Sequence, residues 1–128
     1  MRSICYVKAA FSKEQYERAF LEYWTAAWEE GLDLGDPIQL ASIYRRHFPE
    51  EEVKSIVEAG QDAKWKAQLS SNTERALSCG AYGAPWFWVR NGKSHEEPFF
   101  GSDRFHYMWQ YLDIPHRDFE VLGLEQKL

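Results

Sequence analysis

The run Trp86-Phe87-Trp88-Val89, followed by Asn91-Gly92, constrains this chain more than any other segment. Successive residues of a strand point to opposite faces. Trp86 and Trp88 therefore share one face, Phe87 and Val89 share the other, and all four are large and apolar. That is the pattern of a strand covered on both sides, as in the interior of a sheet flanked by helices. Asn-Gly predicts a hairpin turn, with a second strand near residues 97–100. No third strand is legible. A lone hairpin is marginal in water, and an open edge invites pairing. The sequence thus predicts a missing partner for this sheet, either a second chain or a further segment. A sheet covered by the chain's own helices is the alternative.

The rest of the chain reads as helices. Residues 2–10 form one with no capping residue at its start. Ser12 and Gln15 make a capping box for the next, which runs over 13–30 and stops at Gly31. Tyr16, Phe20, Tyr23, Trp24 and Ala27 recur at helical spacing along it, and Trp28 widens the stripe. Core packing explains such a stripe better than a ligand box. Asp36-Pro37 is an N-cap with Pro at the first helical position. That helix extends to about His47 and is expected to bury Ile38, Leu40, Ala41 and Tyr44. Phe48-Pro49 breaks it. Glu50, Glu51 and Glu52 open the next helix, where their charge suits the dipole, so they read as a helix start and not a metal site. Gly60 ends it. Asp62 caps a longer helix through Cys79 that carries Trp65, Leu69, Thr73, Ala76 and Leu77, and Gly80 ends that one. After the hairpin, Gly101-Ser102-Asp103-Arg104 turns into a final helix with Phe105, Met108, Trp109 and Leu112, which Pro115 stops. The fold class is α/β and mostly helical: a helical domain over 2–79, a hairpin with its helix over 80–114, and a tail over 115–128.

Several functions are disfavoured. The 128 residues carry a formal net charge of −5, and Arg45-Arg46-His47 is the one basic cluster. Nucleic-acid binding needs a basic stripe that displaces counterions, and none is present. No apolar run approaches a membrane span, and the first residues lack a signal-peptide pattern. The two cysteines, Cys5 and Cys79, form neither a CxxC nor a metal-ligand spacing. They read as free thiols of a reducing compartment, with small core roles. Cytoplasm is the expected location, and Gln126-Lys127-Leu128 only faintly resembles a peroxisomal address. His47, His95, His106 and His116 are scattered without ligand spacing, so no metal is expected. Ser70, Ser71 and Ser78 lack a triad context. Cys79 lies at a helix C-terminus, where the dipole disfavours a thiolate.

Two motifs carry more. The run Gly80-Ala81-Tyr82-Gly83-Ala84-Pro85 precedes the hairpin, and Phe99-Phe100-Gly101-Ser102-Asp103-Arg104 follows it. Together they resemble the C-terminal half of kappa-class glutathione transferases, which group with 2-hydroxychromene-2-carboxylate isomerases and DsbA-like oxidoreductases. The resemblance is collinear from about Arg2 to Leu112. It implies a thioredoxin-like fold with an inserted helical domain, of which 2–79 is the insert and the closing β-β-α follows. The opening β-α-β, where the family carries its Ser or Cys nucleophile, is expected to be absent from this chain, so the catalytic residue stays unknown. The Trp-rich hairpin departs from the family pattern, which asks only for apolar residues there.

The resemblance also implies site residues. Ala84, before a cis-Pro85, would pair its backbone with the cysteinyl part of glutathione, as an extended peptide pairs with a strand edge. Ser102 and Asp103 would hold the γ-glutamyl end: backbone N–H groups at a helix start favour a carboxylate, and Asp103 can pair with an ammonium. The alternative is that Ser102 or Asp103 simply caps the last helix, worth about 1 kcal/mol. Three functional readings remain open. One is a short or truncated kappa-class-like protein of glutathione chemistry, acting on a thiol or small hydrophobic substrate. The second is a repurposed isomerase or cyclase with an aromatic pocket around Trp86 and Trp88. The third is a non-catalytic binding module. A homodimer is expected from the orphan hairpin.

Overall fold

The computed structural model describes residues 1–117, so the tail-end tripeptide Gln126-Lys127-Leu128 lies outside the described residues. The elements are α1 (Arg2–Ala10), α2 (Lys13–Trp28), α3 (Pro37–Tyr44), α4 (Glu50–Ala59), α5 (Ala63–Ser78), β1 (Trp86–Arg90), β2 (Glu96–Phe100) and α6 (Phe105–Tyr111). Two compact units divide within α5, the first being Met1–Glu74 and the second starting at Arg75. No helix among the described residues is long and apolar enough to cross a membrane.

In the first unit the capping residues read from the sequence accept the free amides at their helix starts. The Ser12 side chain accepts from the Gln15 amide while the Gln15 side chain accepts from the Ser12 amide. The Asp36 carboxylate accepts from Ile38 N at 2.9 Å, ahead of Pro37. The Asp62 carboxylate accepts from Lys64 N at 2.8 Å. At Gly31 φ is +68°, a left-handed conformation that a side chain would resist. With it, Leu32 N reaches back to Ala26 O at 2.9 Å and closes the end of α2. α3 ends at Tyr44 and not near His47.

α1 packs on both α2 and α4, and α3 packs on α2 and α4. The core gathers Ile4 and Val7 from α1, Ala19 and Tyr23 from α2, Leu40 and Tyr44 from α3, Phe48 from the following loop, and Val53 and Ile56 from α4. At the heart of this core three hydroxyls form a ring. Ser3 Oγ lies 2.7 Å from Tyr23 Oη, Tyr23 Oη lies 2.6 Å from Tyr44 Oη, and Tyr44 Oη donates to Ser3 Oγ at 3.2 Å. Each hydroxyl can donate once and accept once, so all three buried protons are satisfied.

The expected apolar stripe of α2 is corrected. Ala19, Tyr23 and Ala26 are the buried positions, Tyr16 and Phe20 lie against the core partly covered, and Trp24 and Trp28 are 54% and 78% exposed. Two of the three buried positions are small, and the bulky indoles of Trp24 and Trp28 fall outside the buried face. Likewise Ile38 is exposed on α3 while Ile43, one turn and a half on, is buried. On α5 only Trp65 is buried, and Leu77 is exposed.

In the second unit β1 and β2 form a two-stranded antiparallel sheet with Trp86 opposite Phe100 and Arg90 opposite Glu96. The connection is longer than a two-residue Asn-Gly turn. Asn91 N donates to His95 O at 2.9 Å, the Asn91 side chain accepts from Lys93 N and His95 N, and the positive φ falls on Ser94. Asn91 thus organises the loop through its side chain, as Asx turns do. The faces separate as period two requires. Phe87 contacts Phe105 and Phe99 contacts Tyr111, so this face lies on α6. Trp86 and Phe100 meet Tyr82 on the other face. Cover on both faces was expected, yet Trp88 is 46% exposed and Tyr82 is 74% exposed. Among the described residues, the ring contacts of α6 fall on the Phe87 and Phe99 face alone.

Candidate functional site

The four residues singled out for ligand contact flank the open end of the hairpin. Ala84 and Pro85 immediately precede Trp86, and Ser102 and Asp103 follow Phe100, the register partner of Trp86. Gly101 N donates to Pro85 O at 3.0 Å and ties the two segments together one step beyond the ladder. The Ala84–Pro85 peptide bond is cis. Both residues are exposed, as are Ser102 and Asp103.

Two glycines shape this end. A Cβ on Gly83 would lie 2.7 Å from Phe100 Cε2, so any side chain there would have to displace the Phe100 ring. Gly101 has φ +88°, and the Asp103 carboxylate lies where its Cβ would stand. The glycine therefore both permits the left-handed turn and gives the carboxylate its place.

The alternative role for Ser102 and Asp103 was helix capping. α6 begins at Phe105 with Arg104 in the N-cap position, and no side chain caps it by a hydrogen bond. Asp103 is consequently not used as a cap. Its nearest cation, Arg104 Nε, is 3.9 Å away, and its side chain is 79% exposed. An open depression of about 360 Å³ lies alongside, lined by Ser102, Asp103, Phe105, His106, Trp109 and Arg117. Its lining includes one carboxylate and one guanidinium beside aromatic rings, and such a pair suits a zwitterionic amino-acid head. Arg117 was not singled out from the sequence. It lies two residues past the helix-stopping Pro115, in a stretch read only as tail.

Near the turn of the hairpin, Arg90 Nε donates to Glu96 Oε1 at 2.7 Å and Trp88 Nε1 donates to Glu96 Oε2 at 3.2 Å. These two bonds, Arg90 first, hold the Glu96 carboxyl below its usual range. The indole of Trp88 is thereby oriented although half exposed. The Trp86 Nε1 atom and the Tyr111 hydroxyl are shielded from solvent without a hydrogen-bond partner among the described residues. Burial raises the Tyr111 phenol. In the first unit, Glu22 receives both His47 and Arg46, and Arg46 forks onto Glu30 at 2.6 Å for each arm. This is an ion-pair tie between α2 and the end of α3. Among the described residues no three His, Cys, Asp or Glu side chains group as metal ligands. α5 ends at Ser78, one residue short of the expected Cys79.

The comparisons with known proteins agree on one lineage. The model of the DSBA-like thioredoxin domain matches residues 1–113. Glutathione S-transferase kappa 1 of Caenorhabditis elegans is 35% identical over 106 residues, 80% of this chain and 45% of that protein. Human glutathione S-transferase kappa 1 is 32% identical over 92 residues, 71% of this chain and 40% of that protein. Glutathione s-transferase kappa 2 of Caenorhabditis elegans is 30% identical over 95 residues, covering 70% and 42%. The chain spans less than half the length of these curated relatives. A mostly helical chain with one small antiparallel sheet is what part of a DsbA-like thioredoxin fold presents. On these findings the chain belongs to the DSBA-like thioredoxin domain family, and within it is similar to the kappa-class glutathione S-transferases.

Proposed function

We propose that this chain serves glutathione chemistry and supplies part of a glutathione site. The backbone of Ala84 beside Pro85 receives the cysteinyl part, and Ser102 with Asp103 receives the γ-glutamyl head. Arg117, on the same depression, offers a charge for the carboxylate of that head while Asp103 takes its ammonium. The observation that carries this reading is the Gly101–Pro85 hydrogen bond, which sets both contact segments at one end of the hairpin. Asp103's freedom from a capping role supports it, as do the names of the relatives. On this reading these residues contribute binding, and none of them is assigned to activate the thiol.

Two further readings accompany it. The chain forms a homodimer, because the hairpin leaves Trp88 and Tyr82 exposed and the Trp86 indole without a partner among the described residues. It works in the cytoplasm, a reducing compartment that its two free cysteines suit. The test is calorimetry combined with a conjugation assay. Glutathione should bind more weakly than the micromolar range, and Asp103→Ala should abolish what binding there is. Conjugation to an electrophilic aromatic halide should not exceed the uncatalysed rate. Micromolar affinity, an unchanged signal in Asp103→Ala, or turnover that survives re-purification would overturn the proposal.

A further inference from the structure

The first unit holds a groove of about 450 Å³ that the glutathione reading leaves unused. It opens between α1, α2 and α5 and is lined by Cys5, Lys8, Tyr16, Phe20, Trp65 and Asn72 among others. Its size falls in the range of small-molecule sites, and such sites combine apolar walls with a few convergent polar groups. Tyr16 and Phe20 stack at 5.9 Å with ring planes 29° apart, and with Trp65 they give flat aromatic walls.

A chain of two amides leads to one sulfur in its wall. Cys5 was expected to be a small core residue, but it is only partly buried and stands in the groove wall. Asn72 Nδ2 donates to Cys5 Sγ at 4.0 Å, across 67 positions of sequence. Gln68 Nε2 donates to Asn72 Oδ1 at 3.0 Å, which fixes the amide with its N–H side toward the sulfur. Lys8 lies one turn along α1 from Cys5 and so shares its face. Its ammonium sits 5.5 Å from the Tyr16 ring centre, a cation–π contact that holds it at the groove.

We infer that this groove is a covalent binding site for planar aromatic α,β-unsaturated carbonyl compounds, with Cys5 as the attacking group. The ring lies against Tyr16, Phe20 and Trp65. Cys5 Sγ attacks the β-carbon and forms the C–S bond. The π pair of the C=C bond moves onto the carbonyl oxygen as an enolate, beside the Lys8 ammonium. The thiol proton ends on the α-carbon through solvent, so the product is the saturated thioether. No glutathione, oxidant or metal enters the step, and none of Ala84, Pro85, Ser102 or Asp103 takes part.

Cys79 provides an internal control, since it too is partly buried but does not line the groove. The full chain, without glutathione, is labelled with limiting N-phenylmaleimide or N-ethylmaleimide, and the Cys5 and Cys79 peptides are quantified by mass spectrometry. The two reagents share one electrophile and differ in the ring. The Cys5 to Cys79 ratio should be about five- to ten-fold higher with the phenyl reagent, the size of one added aromatic contact. Tyr16→Ser should bring the two ratios together. Lys8→Met should slow Cys5 labelling with both reagents. Equal ratios in the unaltered chain, a phenyl preference unchanged in a folded Tyr16→Ser variant, or a Cys5 rate unmoved in Lys8→Met would each overturn the inference.

Discussion

The hydroxyl ring of Ser3, Tyr23 and Tyr44 makes a sharp test of how the helical unit is held. Tyr23→Phe removes one oxygen and leaves the ring plane and its packing unchanged. Tyr44 donates to Ser3, so a closed ring has Ser3 donating to Tyr23 and Tyr23 donating to Tyr44. Without the Tyr23 oxygen the Ser3 proton loses its acceptor, and Ser3 is 2% exposed. An unsatisfied buried donor costs about 1–3 kcal/mol, while loss of the oxygen's own bulk costs little. Ser3→Ala combined with Tyr23→Phe and Tyr44→Phe leaves no polar group behind. Its loss should be smaller than the sum of the three single losses, because removing all partners together spares the desolvation cost. Urea unfolding followed by far-UV circular dichroism reads both quantities. A Tyr23→Phe variant as stable as the parent would refute the closed ring. So would a triple variant whose loss equals that sum.

The same ring predicts an alkaline limit. Burial holds the Tyr23 and Tyr44 phenols above their ordinary value near 10. Their contribution should be whole below about pH 10 and should fall as pH rises beyond it, and the Tyr44→Phe variant should lose part of that slope in alkaline melts. Glu22 behaves oppositely. His47 first and Arg46 second hold its carboxyl below the usual range. Its contribution, at most about 1 kcal/mol, should be present above about pH 4.5 and lost as pH falls below it, with Glu22→Gln flattening the acid limb of a pH–stability curve. For the proposed dimer, sedimentation at micromolar concentration should give at least twice the chain mass, and Trp88→Lys should shift it toward monomer. A cooperative, well-behaved monomer would end that argument.

Much of the helical architecture was legible because its signals are local. Ser12 with Gln15, Asp36 before Pro37, and Asp62 each satisfy free backbone donors within three residues, and a sequence displays such pairs directly. Burial was less legible. On α2 aromatic residues occupy more than one face, and periodicity alone favoured the large residues over Ala19 and Ala26. The buried face holds Ala19 and Ala26 beside Tyr23. The hairpin was legible, but its turn was not, because the Asn91 side chain organises a longer loop that the dipeptide rule does not describe. The hydroxyl ring joins residues as far apart as 41 positions, and no local pattern announces it. The candidate site was reached through resemblance alone. Arg117 and the groove at Cys5 escaped, since each depends on neighbours that only the fold brings close.

The central claim is that the hairpin's open end receives glutathione. It is tested most directly by amide NMR on the ¹⁵N-labelled chain, titrated with glutathione to about 10 mM, a range that reaches affinities near 4 kcal/mol. The account predicts progressive shifts at the Ala84, Ser102 and Asp103 amides, with Trp86 and Gly101 beside them, and their loss in Asp103→Ala. Unmoved amides at those positions, or shifts that persist in Asp103→Ala, would contradict it.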